Sequence, residues 1–189
     1  FVFPFLTLYL TTVLGMTNSE TGLALTFISL IPIPGSLLGG YLADTFGRKK
    51  VIVYAEAMAI LCLFSCLFFD KSLGMLIPLG LNKFFVSIVR PSLMALITDH
   101  TEVKNRGRSF SFVYLLNNIG MSFGSMMGGF IMTMNPKLLF IGDGLTSLVA
   151  LIFVILLAKE LPSPPKEKTK KEVSLARHLF KMPSLLLVI

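Results

Sequence analysis

The sequence predicts an all-α integral membrane protein, a bundle of six transmembrane helices. Of its 189 residues, 54% are hydrophobic and only 14% are charged, whereas a typical soluble domain is about a quarter charged. Several apolar runs reach the roughly 20 residues that a helix needs to cross a ~30 Å hydrocarbon layer. Segments of this length are expected to be helical, because unpaired backbone groups are costly in lipid.

Six spans and the start of a seventh follow one another along the chain, and short polar segments separate them. Each separator is short enough to join antiparallel neighbours, so residues 1–160 should form one bundle. The chain opens and closes within apolar runs and has no initial methionine, which we interpret as a fragment of a longer protein with a truncated first helix. The predicted spans are 1–15, 21–43, 51–69, 72–98, 109–134 and 138–158.

Lysine and arginine are distributed unequally between the two sets of loops. Thirteen lie in one set, two lie in the other, and the remaining two, Lys83 and Arg90, lie within the fourth span. Basic loops concentrate on the cytoplasmic side of membrane proteins, so residues 40–50 and 99–108 and the segment after the sixth span should be cytoplasmic. This placement explains the net charge of +7 better than a nucleic-acid partner does.

After the sixth span the composition changes to proline and charge. Residues 161–183 are predicted to be a solvated cytoplasmic linker, and residues 184–189 to begin a seventh, truncated helix. A soluble hinge is the favoured interpretation of the linker. The alternative is contact with membrane lipid, since residues 174–182 are basic and amphipathic and the polybasic run would attract anionic headgroups.

The most informative motif is Gly-Tyr-Leu-Ala-Asp-Thr-Phe-Gly-Arg-Lys-Lys at residues 40–50, between the second and third spans. Gly40 would let two helices approach closely, and Gly47 would permit a tight turn. Asp44 should lie at the cytoplasmic end of the second helix, where it can meet a base or a helix amino terminus. The motif residues are Gly40, Leu42, Asp44, Gly47, Arg48 and Lys49.

The order Gly-x-Leu-Ala-Asp-x-x-Gly-Arg-Lys resembles the loop between helices two and three of the major facilitator superfamily. Residues 99–108, an acid followed by an Arg-Gly-Arg run, resemble the family's loop between helices four and five. The resemblance implies a gating role for the first loop and one half of a two-bundle transporter, whose partner is the missing carboxyl-terminal bundle of the same chain. Thr45 departs from the pattern, which usually has a base there.

A row of glycines in the fifth span, Gly120, Gly124, Gly128 and Gly129, would form a smooth face for a neighbouring helix backbone. It resembles the glycine motif of the family's antiporters, Gly-x-x-x-Gly-Pro-x-x-Gly-Gly. Ser125 stands where that motif has proline. The resemblance implies antiport, and ordinary packing of small residues is the alternative.

Charges inside a membrane span are candidates for function, because lipid does not tolerate them. Lys83 and Arg90 are almost two turns apart and should project from one helix face towards a water-filled cavity. Lys83 resembles the basic residue of the family's fourth-helix motif, which implies proton coupling, although the family normally has arginine. Arg90 could instead snorkel to the headgroups. Further candidate pocket groups are Tyr9, Asn82, Asn117 and Asn118.

Two acids lie within spans, Glu56 in the third and Asp143 in the sixth. The family resemblance places these two helices outside the set that lines the cavity. Both acids are therefore expected to be structural or interfacial partners more often than proton carriers.

The function implied by the resemblance is secondary active transport by alternating access in the cell membrane, as proton-coupled efflux of small amphipathic molecules. One alternative is a proton-coupled importer of a nutrient, such as a sugar or peptide, on the same fold. Another is a membrane protein that kept the fold without transporting. His100 and His178 lack metal-ligand spacing, and the chain has no Gly-x-x-x-x-Gly-Lys phosphate loop, so neither an enzyme nor a metal or other cofactor is predicted. The expected partners are lipid, a small-molecule substrate and protons.

Overall fold

A computed structural model describes residues 2–69 and 73–158. All regular structure in these residues is helical. The α-helices are α1 Val2–Thr12, α2 Asn18–Leu30, α3 Pro32–Phe46, α4 Arg48–Ser65, α5 Leu76–Asp99, α6 Arg106–Met134 and α7 Lys137–Leu157. Short 3-10 turns at Cys66–Phe68, Leu73–Met75 and Val103–Asn105 adjoin α4, α5 and α6. The predicted linker 161–183 and the predicted helix start 184–189 lie outside the described residues.

Four helical segments of the described chain are long and apolar enough to cross a membrane: Asn18–Phe46, Arg48–Phe68, Leu73–Asp99 and Lys137–Leu157. The first of these combines α2 and α3. The helix α1 has only 11 residues. The helix α6 has 29 residues, but its glycine, serine and asparagine content makes it less apolar than the four. The chain is therefore an all-helical, multi-pass integral membrane protein.

The predicted second span is divided into α2 and α3 at Ile31. Thr17 and Glu20 form a capping box that starts α2: the Thr17 backbone N–H donates to Glu20 Oε2 at 2.9 Å, and the Glu20 backbone N–H donates to Thr17 Oγ1 at 3.3 Å. The division falls at Ile31 because Pro32 lacks the backbone N–H that would donate to the preceding helical turn. Ile31 keeps helical angles, so the span continues across the division.

The helices α3 and α5 pack closely through two glycines of α3. A Cβ atom built on Gly39 would lie 2.6 Å from the Ile88 carbonyl oxygen, and one built on Gly35 would lie 2.8 Å from the Phe84 carbonyl oxygen. Ser92 of α5 is fully buried and donates from Oγ to the Ile88 carbonyl at 2.9 Å and to the Gly39 carbonyl at 3.3 Å. Larger residues at the two glycines would force these helices apart.

The close approach predicted at Gly40 occurs at Gly39 instead. Nothing lies within 4 Å of a Cβ built on Gly40. Successive residues of an α-helix are rotated by about 100° around its axis, so only one of two adjacent glycines can face α5.

The main apolar core joins α1, α7 and the ends of α4 and α5 that adjoin them. Tyr9 of α1 and Phe140 of α7 meet edge to face, with ring centroids 5.3 Å apart. Asn82 of α5 is buried and donates from Nδ2 to the Ala59 carbonyl of α4 at 2.9 Å. Many large apolar side chains elsewhere are exposed, for example Phe27, Leu37 and Phe130, as expected of helices that face lipid.

Candidate gating and transport site

The 40–50 motif forms a direct joint between α3 and α4, with Gly47 as its only residue outside the two helices. Gly47 has φ 98° and ψ 141°, and its backbone N–H donates to the Ala43 carbonyl at 3.2 Å. A positive φ of this kind is accessible to glycine at little cost and strains other residues. Gly47 therefore lets the chain reverse within one residue, so that α4 begins at Arg48 directly after the end of α3.

Arg48 links the ends of three helices through its charge. Its Nε atom lies 2.8 Å from Asp99 Oδ2 at the end of α5, and its Nη2 atom lies 3.4 Å from Asp44 Oδ1 near the end of α3. Its side chain is 11% exposed, whereas those of Asp99 and Asp44 are 21% and 60% exposed. The contact with Asp99 is an ion pair without hydrogen-bond alignment of the Nε–H group.

Each charge of this triad lies at the unfavourable end of its own helix. Asp44 and Asp99 lie in the last turns of α3 and α5, where helix dipoles favour cations, and Arg48 lies in the first turn of α4, where dipoles favour anions. Each side chain is therefore stabilised by the other members of the triad and not by its own helix. If the helix ends separate, these charges must find water or new partners.

Lys49 connects the same joint to α7. Its Nζ donates to the Ile155 carbonyl at 2.8 Å. Ile155 lies in the last turn of α7, where carbonyl oxygens lack partners within the helix, and a cation there is favoured by the helix dipole. Arg48 and Lys49 together tie α3, α4, α5 and α7 at one end of the bundle.

The second motif, residues 99–108, contributes its first residue to the triad. The rest of it forms the turn into α6, with an exposed ion pair of 3.2 Å between Lys104 and Glu102. In the sequence Asp99 is only the start of this motif, and its local pattern does not identify it as the partner of Arg48. The available signal was that both loops carry charge on the same predicted side of the membrane.

Lys83 and Arg90 line one cavity of about 360 Å³ between α3 and α5. Lys83 is half-buried and also interacts electrostatically with Asp143 of α7, whereas Arg90 is exposed to the cavity. Two serines and four apolar residues complete the wall. These are Ser36, Ser87, Pro32, Ile33, Val86 and Pro91.

None of the four other candidate pocket groups lines this cavity. Tyr9 and Asn82 are buried in contacts between helices. The Tyr9 ring packs against Phe140, and the Asn82 amide donates to the Ala59 carbonyl, as buried polar groups require. Asn118 is exposed and donates from Nδ2 to the Tyr114 carbonyl of its own helix at 2.8 Å. Asn117 lines a separate cavity of about 580 Å³ between α1 and α6.

The glycine face of α6 is partly open. Gly120 and Gly124 line the cavity with Asn117, and a Cβ built on Gly120 would have nothing within 4 Å. Gly128 is buried, and a Cβ on Gly129 would lie 3.5 Å from the Phe5 ring of α1. This face thus has a side chain as its neighbour at Gly129 and open space at Gly120, whereas Gly39 of α3 lies directly against the backbone of α5.

The two embedded acids lie close together between α4 and α7. Glu56 shares a hydrogen bond with Ser147 and interacts electrostatically with Asp143. Asp143 Oδ2 also accepts from the Val2 backbone N–H at 3.4 Å. These contacts join α1, α4 and α7.

The described residues thus form a multi-pass helical membrane protein with charged groups inside its spans and an ion-pair triad at its helix ends. The sequence model of one protein family, the Major Facilitator Superfamily, matches residues 1–189. The chain belongs to that family.

Curated relatives agree with this assignment. The MFS-type transporter YqjV of Bacillus subtilis strain 168 is 34% identical over 126 residues, 66% of this chain and 30% of its own length. The quinolone resistance protein NorA of Staphylococcus aureus is 28% identical over 173 residues, 89% of this chain and 42% of its own length. The MFS-type transporter YttB of B. subtilis is 26% identical over 154 residues, 82% and 38% of the two chains. The chain thus spans less than half the length of these relatives.

Proposed function

We propose that this chain is the amino-terminal half of a proton-coupled exporter in the plasma membrane. Residues 1–160 would form a six-span bundle in which α1 and α6 are the first and fifth spans. Residues 161–183 would be the cytoplasmic linker to a second bundle that starts with residues 184–189. Substrate would bind between the two bundles, which would rock to expose it on alternate sides of the membrane.

The observation that carries this proposal is the cavity that Lys83 and Arg90 share. Ionisable groups inside a span mark substrate or ion pathways, because their burial in lipid is costly. Lys83 also interacts electrostatically with Asp143 of α7, so a change in either charge would affect the contact between α5 and α7. The name of the relative NorA refers to quinolone resistance, which favours export over import.

The Asp44–Arg48–Asp99 triad would act as a latch at the cytoplasmic ends of the helices. The excess of Lys and Arg in the loops on this side, thirteen against two, supports a cytoplasmic position. With the triad intact, the ends of α3, α4 and α5 are held together. Release of the latch would accompany the rocking of the bundles.

The test is transport in proteoliposomes of the purified full-length protein, with a fluorescent quinolone as substrate and a pH gradient of either sign. A proton antiporter accumulates substrate when the vesicle interior is the more acidic side, because outward proton flow drives inward substrate flow. A proton symporter accumulates substrate only when the interior is the more alkaline side. Accumulation in the second case alone would favour the nutrient importer, and equal fluxes with and without either gradient would exclude proton coupling.

Lys83 variants test the coupling group itself. Lys83→Met should abolish gradient-driven accumulation, and Lys83→Arg should retain part of it, since arginine keeps the charge. Exposed Arg108 on α6 provides the control Arg108→Met, which should transport normally. Full gradient-driven transport by Lys83→Met would exclude Lys83 as the coupling group and leave it a structural role only.

Orientation is tested separately with single cysteines at Lys71 and Lys104 in a version that lacks Cys62 and Cys66. In intact cells an impermeant maleimide should label the cysteine at 71 and not the one at 104. Labelling of both positions from outside would contradict the proposed topology.

A further inference from the structure

The polar groups of the cavity between α3 and α5 indicate which ligands it can take. Lys83, Ser87 and Arg90 are four and three residues apart, so they form one stripe along α5, and Ser36 of α3 lines the same space. The remaining wall is apolar. A volume of about 360 Å³ lies within the range of small-molecule sites, roughly 300–1,000 Å³.

Both serine hydroxyls already donate their protons within their own helices. Ser36 Oγ donates to the Ile33 carbonyl at 2.9 Å, and Ser87 Oγ donates to the Phe84 carbonyl at 2.7 Å. A hydroxyl has a single proton to donate, so the hydroxyls present acceptor lone pairs to the cavity. The hydrogen-bond donors available to a ligand are then the Lys83 ammonium and the Arg90 guanidinium.

The charges of the lining side chains are all positive. No carboxylate is among the described residues that line the cavity. Lys83 has Asp143 nearby, but Arg90 has no ion pair or hydrogen bond to residues 2–69 or 73–158. A guanidinium stays charged in proteins, and Arg90 is exposed to the cavity, so its charge is available to a ligand.

From this arrangement we infer that the cavity binds an amphipathic organic anion, whose carboxylate is held by Arg90 and whose apolar body lies against Pro32, Ile33, Val86 and Pro91. The guanidinium can donate two parallel hydrogen bonds to a carboxylate. Lys83 adds attraction from the other end of the stripe. This inference rests on the proposed function in one respect: it assigns the substrate class of the same cavity.

A matched set of three naphthalene probes tests it: 1-naphthoate, 1-naphthylmethanol and 1-naphthylmethylammonium. They share an apolar body and differ in the charge of one substituent. Naphthalene emission follows the binding of all three probes, with empty nanodiscs as the blank. Binding would be titrated to the purified protein in phosphatidylcholine nanodiscs, which contribute no net charge.

We expect 1-naphthoate to bind roughly tenfold or more tightly than either other probe, as for a charge-assisted hydrogen bond. Arg90→Met should remove this preference while leaving 1-naphthylmethanol binding unchanged. Arg90→Lys should retain part of it, because lysine keeps the charge without the bidentate geometry. Arg108→Met serves as the matched control and should bind all three probes like the parent protein.

Tighter binding of the ammonium probe, equal binding of all three, no binding by any of them, or an unaltered preference in Arg90→Met would each overturn the inference. These failures are distinct from failure of the proposed function. A protein that moves a quinolone under a pH gradient without any anion preference refutes only the substrate class. A protein that prefers naphthoate but transports nothing under either gradient refutes only the transport proposal.

Discussion

Arg48 and Arg90 occupy opposite electrostatic situations on neighbouring helices. Arg48 is 11% exposed, with Asp99 at 2.8 Å and Asp44 at 3.4 Å. Arg90 faces a cavity whose described lining contains no acid. The first arginine is neutralised by the chain itself, which suits a contact that opens and closes. The second has its charge available, which suits a group that waits for a ligand. The two acids that pair with Arg48 lie on α3 and α5, and the cavity of Arg90 lies between the same two helices. The packing of α3 against α5 therefore affects both arrangements.

The largest expected effect comes from Gly39→Ala, which would break both regions at once. Its new Cβ would lie 2.6 Å from the Ile88 carbonyl oxygen and 2.9 Å from Ile88 Cα, and a backbone cannot move aside as a side chain can. We expect a loss of about 3 kcal/mol in stability, together with loss of transport. Unfolding in detergent can be followed with a thiol-reactive dye, since Cys66 is 3% exposed until the fold opens.

The control is the adjacent change Gly40→Ala. Nothing lies within 4 Å of a Cβ there, and alanine is the better helix former by about 1 kcal/mol. Gly40→Ala should therefore unfold at the same temperature as the parent or slightly above it. Equal destabilisation by the two variants would mean that the α3–α5 contact is not as close as described.

The second largest effect should come from Asp99→Asn, which removes the more buried of the two carboxylates in the triad. The change removes the counter-charge from Arg48, whose side chain is largely shielded from water. We expect a cost of about 2 kcal/mol, because the change leaves the shielded guanidinium without its nearest counter-charge. The matched control is Glu102→Gln, because the Glu102–Lys104 pair is 70% and 79% exposed and such pairs contribute little. The measurement is the unfolding temperature at low salt, with transport rate alongside.

Asp44→Asn should have a smaller effect, although the sequence motif gives Asp44 the central role. Asp44 is 60% exposed and 3.4 Å from Arg48, so solvent screening limits its contribution to less than about 1 kcal/mol. A double-mutant cycle between Asp44→Asn and Asp99→Asn measures how far the two carboxylates compensate for each other. A greater loss of stability in Asp44→Asn than in Asp99→Asn would reverse the assigned order.

Much of the fold was predictable from the sequence, because length and apolarity dominate the choice between helix and loop in a membrane. The all-helical class, the turn at Gly47 and the helix boundary near Asp99 follow from that pattern. Local pattern does not define which face of a helix meets which neighbour. Asn82 and Lys83 are adjacent polar residues in one span, yet the first is buried against α4 and the second lines the cavity.

The ion-pair partner of Arg48 could not be predicted from the sequence for the same reason. Asp44 and Asp99 are both acids near basic residues, and their separations of four and fifty-one positions from Arg48 suggest the nearer one. The structure gives the shorter contact to the distant one, because α5 ends beside the start of α4. Tertiary packing decides such pairs, and one sequence does not contain that information in a local form.

The smallest effect should come from Lys49→Gln, which tests whether the electrostatic contacts of the latch extend beyond the triad to Lys49. Lys49 donates to the Ile155 carbonyl at 2.8 Å, and loss of a cation at a helix carboxyl terminus costs about 0.3–1 kcal/mol at low ionic strength. The neighbouring change Lys50→Gln removes the same charge from an exposed position with no hydrogen bond to the described residues, so it controls for net charge. Lys49→Gln should lower the unfolding temperature by about 1–3 °C in low salt, and the difference between the two variants should shrink as salt is added. A difference of similar size in high salt would mean that Lys49 stabilises the joint through hydrogen bonding or packing, and that the electrostatic latch ends at Arg48.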